Sequence, residues 1–186
     1  MELIVAVDRE WGIGYKGELL ARVRDDLRNF KALTEGKTVI LGSNTLATFP
    51  GGRPLKGRKN LVLHPSPDYT VEGAEVVHSL DELYAYVDAH PEERFVVIGG
   101  ASVYRQLLPR CTRAYVTKFE RVFDKDVYFE DLDADPAWKQ VFCGEVRYSN
   151  AETDTVGGMP YRYTVYERKP ARRRRGRQKV ANDVEK

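Results

Sequence analysis

Phe95-Val96-Val97-Ile98-Gly99-Gly100-Ala101-Ser102-Val103-Tyr104 runs an unbroken apolar segment into a helix through two glycines. Four apolar residues without polar alternation mark a strand covered on both faces, as in a parallel sheet. Glycine permits backbone angles closed to other residues and lets the backbone approach a ligand closely. The N–H groups at the helix start then face the carboxyl end of the strand, where they can hold a phosphate. The spacing is not the G-x-G-x-x-G fingerprint, and any tight strand–helix turn can use Gly-Gly.

The same strand pattern recurs in Leu3-Ile4-Val5-Ala6-Val7, Thr38-Val39-Ile40-Leu41-Gly42 and Asn60-Leu61-Val62-Leu63. Helical stretches separate these runs. From Asp25 to Thr34, apolar Leu27, Phe30 and Leu33 recur at three-residue steps. Ser79 with Glu82 three residues on is a capping box, and Leu80, Leu83, Tyr84 and Val87 give that helix its buried face. Val103, Tyr104, Leu107 and Leu108 mark a third helix, which Pro109 ends. Strand–helix alternation predicts an α/β fold, a mostly parallel central sheet of about eight strands with helices on both faces. Ala114–Lys118, Lys139–Tyr148 and Tyr161–Arg168 have no long helix between them and are expected as antiparallel strands at one edge. Thr153-Asp154-Thr155-Val156-Gly157-Gly158 has turn chemistry and joins the last two.

The chain has 186 residues, 42% hydrophobic and 31% charged, which suits one globular domain. Met1-Glu2-Leu3 enters a strand with no basic leader, so no signal peptide is expected. No apolar run approaches the roughly 20 residues of a membrane span, and a cytoplasmic monomer is expected. Cys111 and Cys143 fit no metal spacing and are expected reduced in the core; no metal site is expected. The net charge of +2 divides unevenly: residues 169–186 hold 8 Lys/Arg and 2 Asp/Glu, a net of +6, and the remainder has a net of −4. Residues 1–168 form the predicted domain. After Arg168 the apolar pattern stops, and residues 169–186 read as a disordered basic tail.

Four segments carry candidate chemistry. Asp26 follows Asp25 at a helix start, where a carboxylate ordinarily matches the helix dipole at the surface. With one acid on the polar side and one turned to the core, Asp26 is expected to be the only buried acid. An acid facing an apolar cleft has its pKa raised by desolvation, and can accept hydrogen bonds from an amidine-like edge. The Gly99-Gly100 turn is the second segment. Trp11-Gly12-Ile13-Gly14-Tyr15-Lys16-Gly17-Glu18-Leu19 is the third, a flexible loop, either plain surface or a lid. In the fourth, Phe49 to Asn60, an arginine just before a buried strand can pair bidentately with a carboxylate.

The order of these segments is more specific than any one of them. Ile4-Val5-Ala6-Val7-Asp8, Gly12-Ile13-Gly14, the acid at the helix start, Gly42 with Thr45, Gly52-Arg53-Pro54-Leu55 with Gly57-Arg58, Val97-Ile98-Gly99-Gly100 with Val103-Tyr104, and Tyr115-Val116-Thr117 follow one another. That succession resembles dihydrofolate reductase from residue 1 to about 168. The resemblance implies hydride transfer from NADPH to pterin C6 of dihydrofolate, with a proton reaching N5 from water. It makes Asp26 the pterin-binding acid and Thr117 its hydrogen-bond partner, the two catalytic candidates. It implies a substrate pocket of Val5, Ala6, Leu27, Phe30, Phe49, Leu55, Ile98 and Tyr104, with Arg58 on the α-carboxylate of the glutamate tail. Cofactor contacts fall on Ala6, Ile13, Gly14, Leu19, Gly42, Ser43, Asn44, Thr45, Leu63, His64, Gly99, Gly100, Ala101, Ser102, Val103 and Tyr104, and the Gly99–Gly100 bond is implied to be cis.

This chain departs from the family pattern at Leu20-Ala21, where Pro-Trp is common. It departs again at Ser43-Asn44 and His64-Pro65, where basic and hydroxyl residues usually help bind the 2′-phosphate; His64 can supply part of that charge. His78 and His90 are read as without function. The rival readings are a pyrimidine reductase of the same fold, a catalytically silent binder, and weak non-specific nucleic-acid binding through the tail. With no aromatic residue among its arginines, the tail offers phosphate contacts and no base stacking.

Overall fold

The computed structural model describes residues 1–170; from Ala171 on, the tail expected to be disordered lies outside the described residues. The elements in order are β1 (Glu2–Val7), β2 (Gly12–Tyr15), β3 (Glu18–Leu19), α1 (Arg24–Thr34), β4 (Thr38–Gly42), α2 (Ser43–Ala47), β5 (Lys59–Leu63) and β6 (Glu75–Val77). They continue with α3 (Leu80–Ala89), β7 (Phe95–Gly99), α4 (Ala101–Leu107), β8 (Arg113–Phe119), β9 (Val127–Tyr128), β10 (Trp138–Cys143), β11 (Arg147–Tyr148) and β12 (Pro160–Arg168).

The main sheet has the order β10-β12-β8-β1-β7-β4-β5-β6, with β11 also on β12. Every pairing from β6 to β8 is parallel, whereas β12 runs antiparallel to β8 and β10 and β11 run antiparallel to β12. The parallel strands alternate between two cores, as the pleat requires. Leu3, Val5, Ile40, Leu61 and Val97 pack with Leu83 of α3 and with Val103 and Leu107 of α4. Ile4, Val39, Leu41, Val62, Val96 and Ile98 pack with Leu46 of α2 and with Phe30 and Leu33 of α1. Helices therefore cover both faces, as the unbroken apolar runs predict.

Several local expectations change. The strand containing Ala114–Lys118 is antiparallel on one side only: β8 pairs antiparallel to β12 but parallel to β1 through six residues. The short α4 before it acts as the crossover from β7, past β1, and such a crossover sets the strands it joins parallel. Lys139–Tyr148 is not one strand. A register shift between Gln140 and Phe142 bulges β10, and β11 is separate. Cys111 is buried, but Cys143 is exposed on the outer strand; both are free thiols. Asp26 is not the only buried acid, for Asp8 is 2% exposed while Asp26 keeps some solvent access.

The glycine-rich segment is not a loose loop. It forms the hairpin β2–β3, whose two-residue turn Lys16-Gly17 has φ of 49° and 81°, the left-handed angles a tight hairpin needs. Strand β9, distant in sequence, pairs with β2 to complete a three-stranded sheet. Asp8 holds the root of this small sheet. Its carboxylate accepts from the amides of Glu10 (2.9 Å), Gly12 (2.8 Å) and Phe123 (3.0 Å), and Lys125 Nζ lies 2.8 Å away. Burial alone would raise this carboxyl, but Lys125 and the three amides outweigh it and hold the pKa below the usual value. Removing one member of such a cluster strands the others. Asp8→Ala is expected to lower the unfolding free energy by about 3 kcal/mol or more, read by urea denaturation at neutral pH. A loss under about 1 kcal/mol would show that water replaces the carboxylate without penalty.

Candidate active site

A cleft of about 730 Å³ opens where the parallel strands end. Parallel sheets covered by helices bind ligands in such crevices, at the carboxyl ends of their strands. Strand ends supply Val5, Ala6, Gly42, Leu63 and Ile98; α2 supplies Ser43, Asn44 and Thr45; the β7–α4 turn and α4 supply Gly100, Ala101, Ser102, Val103 and Tyr104. The β2–β3 hairpin contributes Ile13, Gly14 and Leu19. Of the predicted cofactor residues, only His64 and Gly99 are off the cleft wall. Gly99 shapes the turn instead. Its φ is 113°, and a Cβ there would meet the Tyr104 ring at 3.0 Å. The Gly99–Gly100 peptide is cis.

The starts of α2 and α4 close on each other across this turn. A Cβ on Gly42 would meet Val103 Cγ2 at 3.2 Å, and one on Gly100 would meet Thr45 Oγ1 at 3.1 Å. Neither helix has a side-chain cap, so its first-turn amides remain available as donors. Tyr104 spends its hydroxyl on the carbonyl of Ile4, donating at 2.6 Å. Its ring therefore faces the cleft as an apolar wall held in one orientation.

Asp26 lies in the first turn of α1. That helix begins at Val23, which offers no side-chain cap. The turn after Thr153 does the capping from outside: Asp154 Oδ1 accepts from the amide of Arg24 at 2.9 Å, and Thr155 Oγ1 accepts from the amide of Arg22 at 2.9 Å. Thr117 stands beside Ala6 in the β1–β8 ladder and is 3% exposed. Its hydroxyl donates to Asp26 Oδ1 at 2.6 Å; neither residue is on the wall of the cleft, which Thr117 adjoins through its ladder partner Ala6. Burial pushes the Asp26 carboxyl up to about 6; the Thr117 hydrogen bond opposes this and the Asp25 charge adds to it.

Phe30, Phe49 and Leu55 gather with Ile98 on the α1–α2 side, while Leu27 is 46% exposed. Arg58 sits in a second cleft of about 700 Å³ with Lys37, Thr38, Glu93 and Arg94. Its Nε is buried with no hydrogen-bond partner, a donor left over for an anion. His64 stacks on Tyr69 with ring centres 4.0 Å apart, and its Nδ1 accepts from the amide of Ser66 at 3.2 Å. In the neutral ring that leaves the proton on Nε2.

Sequence reading missed other wall residues, among them Glu18, Pro65, His78, Ser79, Gln106 and Val127. His78, read as idle, is on the wall and hydrogen-bonds through Nδ1 to the carbonyl of His64 at 3.0 Å. The three-residue β6 before it gives no strand signal, so its position at a strand end was hidden. Gln106 was findable, since it lies one turn beyond Ser102 and bonds to Ser102 Oγ at 3.0 Å. Among the described residues, no group of three or more His, Cys, Asp or Glu side chains is placed to hold a metal ion.

The family model for dihydrofolate reductase matches residues 1–168. The chain is similar to the dihydrofolate reductase of Mycobacterium leprae, with 42% identity over 160 residues, 84% of this chain and 90% of the relative. It is similar to that of Bacillus subtilis, with 34% identity over 169 residues, 91% of this chain and 95% of the relative. Among solved structures it is similar to dihydrofolate reductase from Enterococcus faecalis complexed with NADP(H) and RAB-propyl, with a TM-score of 0.79, 32% identity and coverage of 91% and 96% of the two chains. A match from Met1 to the last residue of β12 takes in every strand and helix described above, and the chain belongs to the dihydrofolate reductase family.

Proposed function

We propose that this chain reduces 7,8-dihydrofolate to tetrahydrofolate with NADPH, and that Asp26 is the acid on which the reaction depends. The observation that carries the reading is a carboxyl raised to about 6 at the head of α1, tied to Thr117, in a chain of the dihydrofolate reductase family.

The cleft residues fit a dinucleotide. Glycine backbone at Gly42 and Gly100, uncapped first-turn amides on α2 and α4, and the hydroxyls of Ser43, Thr45 and Ser102 offer donors for phosphates. Ala6, Ile13, Gly14, Leu19, Leu63, Ala101, Val103 and Tyr104 enclose the remainder, and His64, with His78 beside it, serves the 2′-phosphate. NADPH bound there supplies the hydride that passes to C6 of the pterin.

Asp26 does the rest from the opposite side. As a carboxylate it accepts hydrogen bonds from the 2-amino and N3 groups of the pterin, which fixes the ring's orientation. A carboxyl that titrates near 6 carries a proton in part of the population near neutrality. It thereby eases protonation of the ring, and N5 takes its proton from water. Thr117 holds Oδ1 in place. Val5, Phe30, Phe49, Leu55 and Ile98 wall the ring from solvent, with Leu27 closing over it from α1. Arg58 offers its unpartnered Nε to the α-carboxylate of the glutamate tail.

Residues 1–168 form the catalytic domain in this proposal, and 169–186 a tail adding only weak, salt-dependent contacts to nucleic acid. No helix among the described residues is long and apolar enough to cross a membrane; a cytoplasmic monomer remains part of the proposal.

Purified protein with dihydrofolate is expected to oxidise NADPH, followed as loss of its near-ultraviolet absorbance; no oxidation would remove this reading. Asp26→Asn is expected to lower kcat/KM by about 100-fold or more. In the wild-type enzyme kcat/KM is expected to fall as pH rises through about 6, because the protonated form is then lost. The same raised pKa makes the charged form costly to the fold above that pH. Asp26→Asn is therefore expected to be more stable than wild type at neutral pH by about 1–2 kcal/mol. That gain should fade as pH falls towards the ordinary carboxyl value, which parallel melting curves check. Arg58→Gln is expected to raise KM for dihydrofolate about tenfold or more with kcat nearly unchanged; an unchanged KM would place the tail carboxylate elsewhere.

A further inference from the structure

Asp25, expected only on the polar side of α1, is bound more tightly than a surface acid needs to be. A single oxygen, Oδ2, accepts from Arg147 Nη1 at 3.0 Å, Tyr161 OH at 2.9 Å and Tyr163 OH at 3.2 Å. Arg147 belongs to β11, and the two tyrosines belong to β12, the first antiparallel strand of the sheet. Tyr161 is 1% exposed, and the two rings meet edge to face at 5.6 Å. The acid next in sequence, Asp26, takes its hydrogen bond from Thr117 on β8, and Thr117 is paired with Tyr163 across the β8–β12 ladder.

We propose that Asp25 is a positioning residue for the reaction: through Arg147, Tyr161 and Tyr163 it fastens the first turn of α1 to the antiparallel strands and sets both the orientation and the proton occupancy of Asp26. Two adjacent carboxylates at one helix start repel each other, and three donors hold Asp25 in a fixed place. A negative charge at that place, beside Asp26, favours the neutral form of that acid. Arg147 partly offsets the charge, so the pair Asp25–Arg147 adjusts Asp26 from outside the cleft. The other groups around Asp26 are Thr117 on β8 and Tyr163 on β12, whose own hydroxyl is pushed up by burial and by both acids. Asp154, which caps Arg24, faces the same helix end. A mere tether needs an acceptor at position 25 and nothing more, whereas this role needs a charge.

The kinetic part of the test rests on the proposed reductase activity; the titration part does not. Two readouts are taken on full-length protein, the pH midpoint of kcat/KM and the titration of the Asp26 carboxyl by carbon NMR without ligands. Asp25→Asn keeps an acceptor but removes the charge, and is expected to lower both midpoints by about half a pH unit. Arg147→Gln removes the offsetting cation and is expected to raise both. Asp25→Glu keeps the charge and is expected to restore most of the wild-type value. Midpoints unchanged in Asp25→Asn, or moved in the same direction by Asp25→Asn and Arg147→Gln, would overturn the proposal. If activity is absent altogether, opposite NMR shifts still support the coupling and flat titrations still overturn it.

Discussion

A parallel sheet covered by helices on both faces has one margin left for polar chemistry, the edge where its strands stop. In this protein that constraint fixes almost everything else. The strands from β6 to β8 all run the same way, so their carboxyl ends lie together. The chain must leave each end through a turn, and three of those turns lead directly into helices. The cleft-facing backbone at Gly42 and Gly100 follows from this topology, as does the gathering of hydroxyls at the starts of α2 and α4. The sheet does not favour one chemistry over another; it provides the place where amides and small side chains are unpaired.

Two features outside the parallel core convert that place into a site. The first is the small sheet of β2, β3 and β9, which is built from segments more than a hundred residues apart and rooted in the carboxylate of Asp8. The second is the antiparallel addition. β12 lies against β8, carries the tyrosines that bind Asp25, and leads back to the turn that caps α1. Asp26, the acid proposed for catalysis, is therefore placed by the last third of the chain, although it lies in the first sixth. Neighbouring aspartates receive opposite treatment: Asp25 has donors in excess, and Asp26 has one donor and a raised pKa. The difference arises from which strand each faces, since both sit in the same helical turn.

Much of this was legible in the residues. Apolar runs of four or five gave the buried strands, because a strand covered on both faces has no polar alternation to show. Ser79 and Glu82 located the start of α3, where Ser79 Oγ does accept from the amide of Glu82. The glycine turn and the acid at a helix start were visible as local chemistry, and their order suggested the family. What stayed hidden depended on distant partners. β9 has two residues and no pattern of its own. The direction of β8 depends on the crossover through α4, a helix the residues marked without showing on which side of β1 it returns the chain. Asp8 looked like an ordinary strand-end residue, and only its four partners make it a buried anchor. His78 reached the cleft because a three-residue strand, β6, carried it there.

The bulge in β10 has a consequence for the protein in concentrated solution. An open sheet has two outer strands, and each offers unpaired amides and carbonyls to any other chain that can match their spacing. Here one margin is β6, three residues long. The other is β10, which presents exposed Val141 and Phe142 and would otherwise be a template for edge-to-edge stacking. The register shift between Gln140 and Phe142 breaks its repeat in the middle, so an approaching strand cannot stay in step for more than a few residues. The irregularity thus lets an apolar margin face water without seeding aggregation.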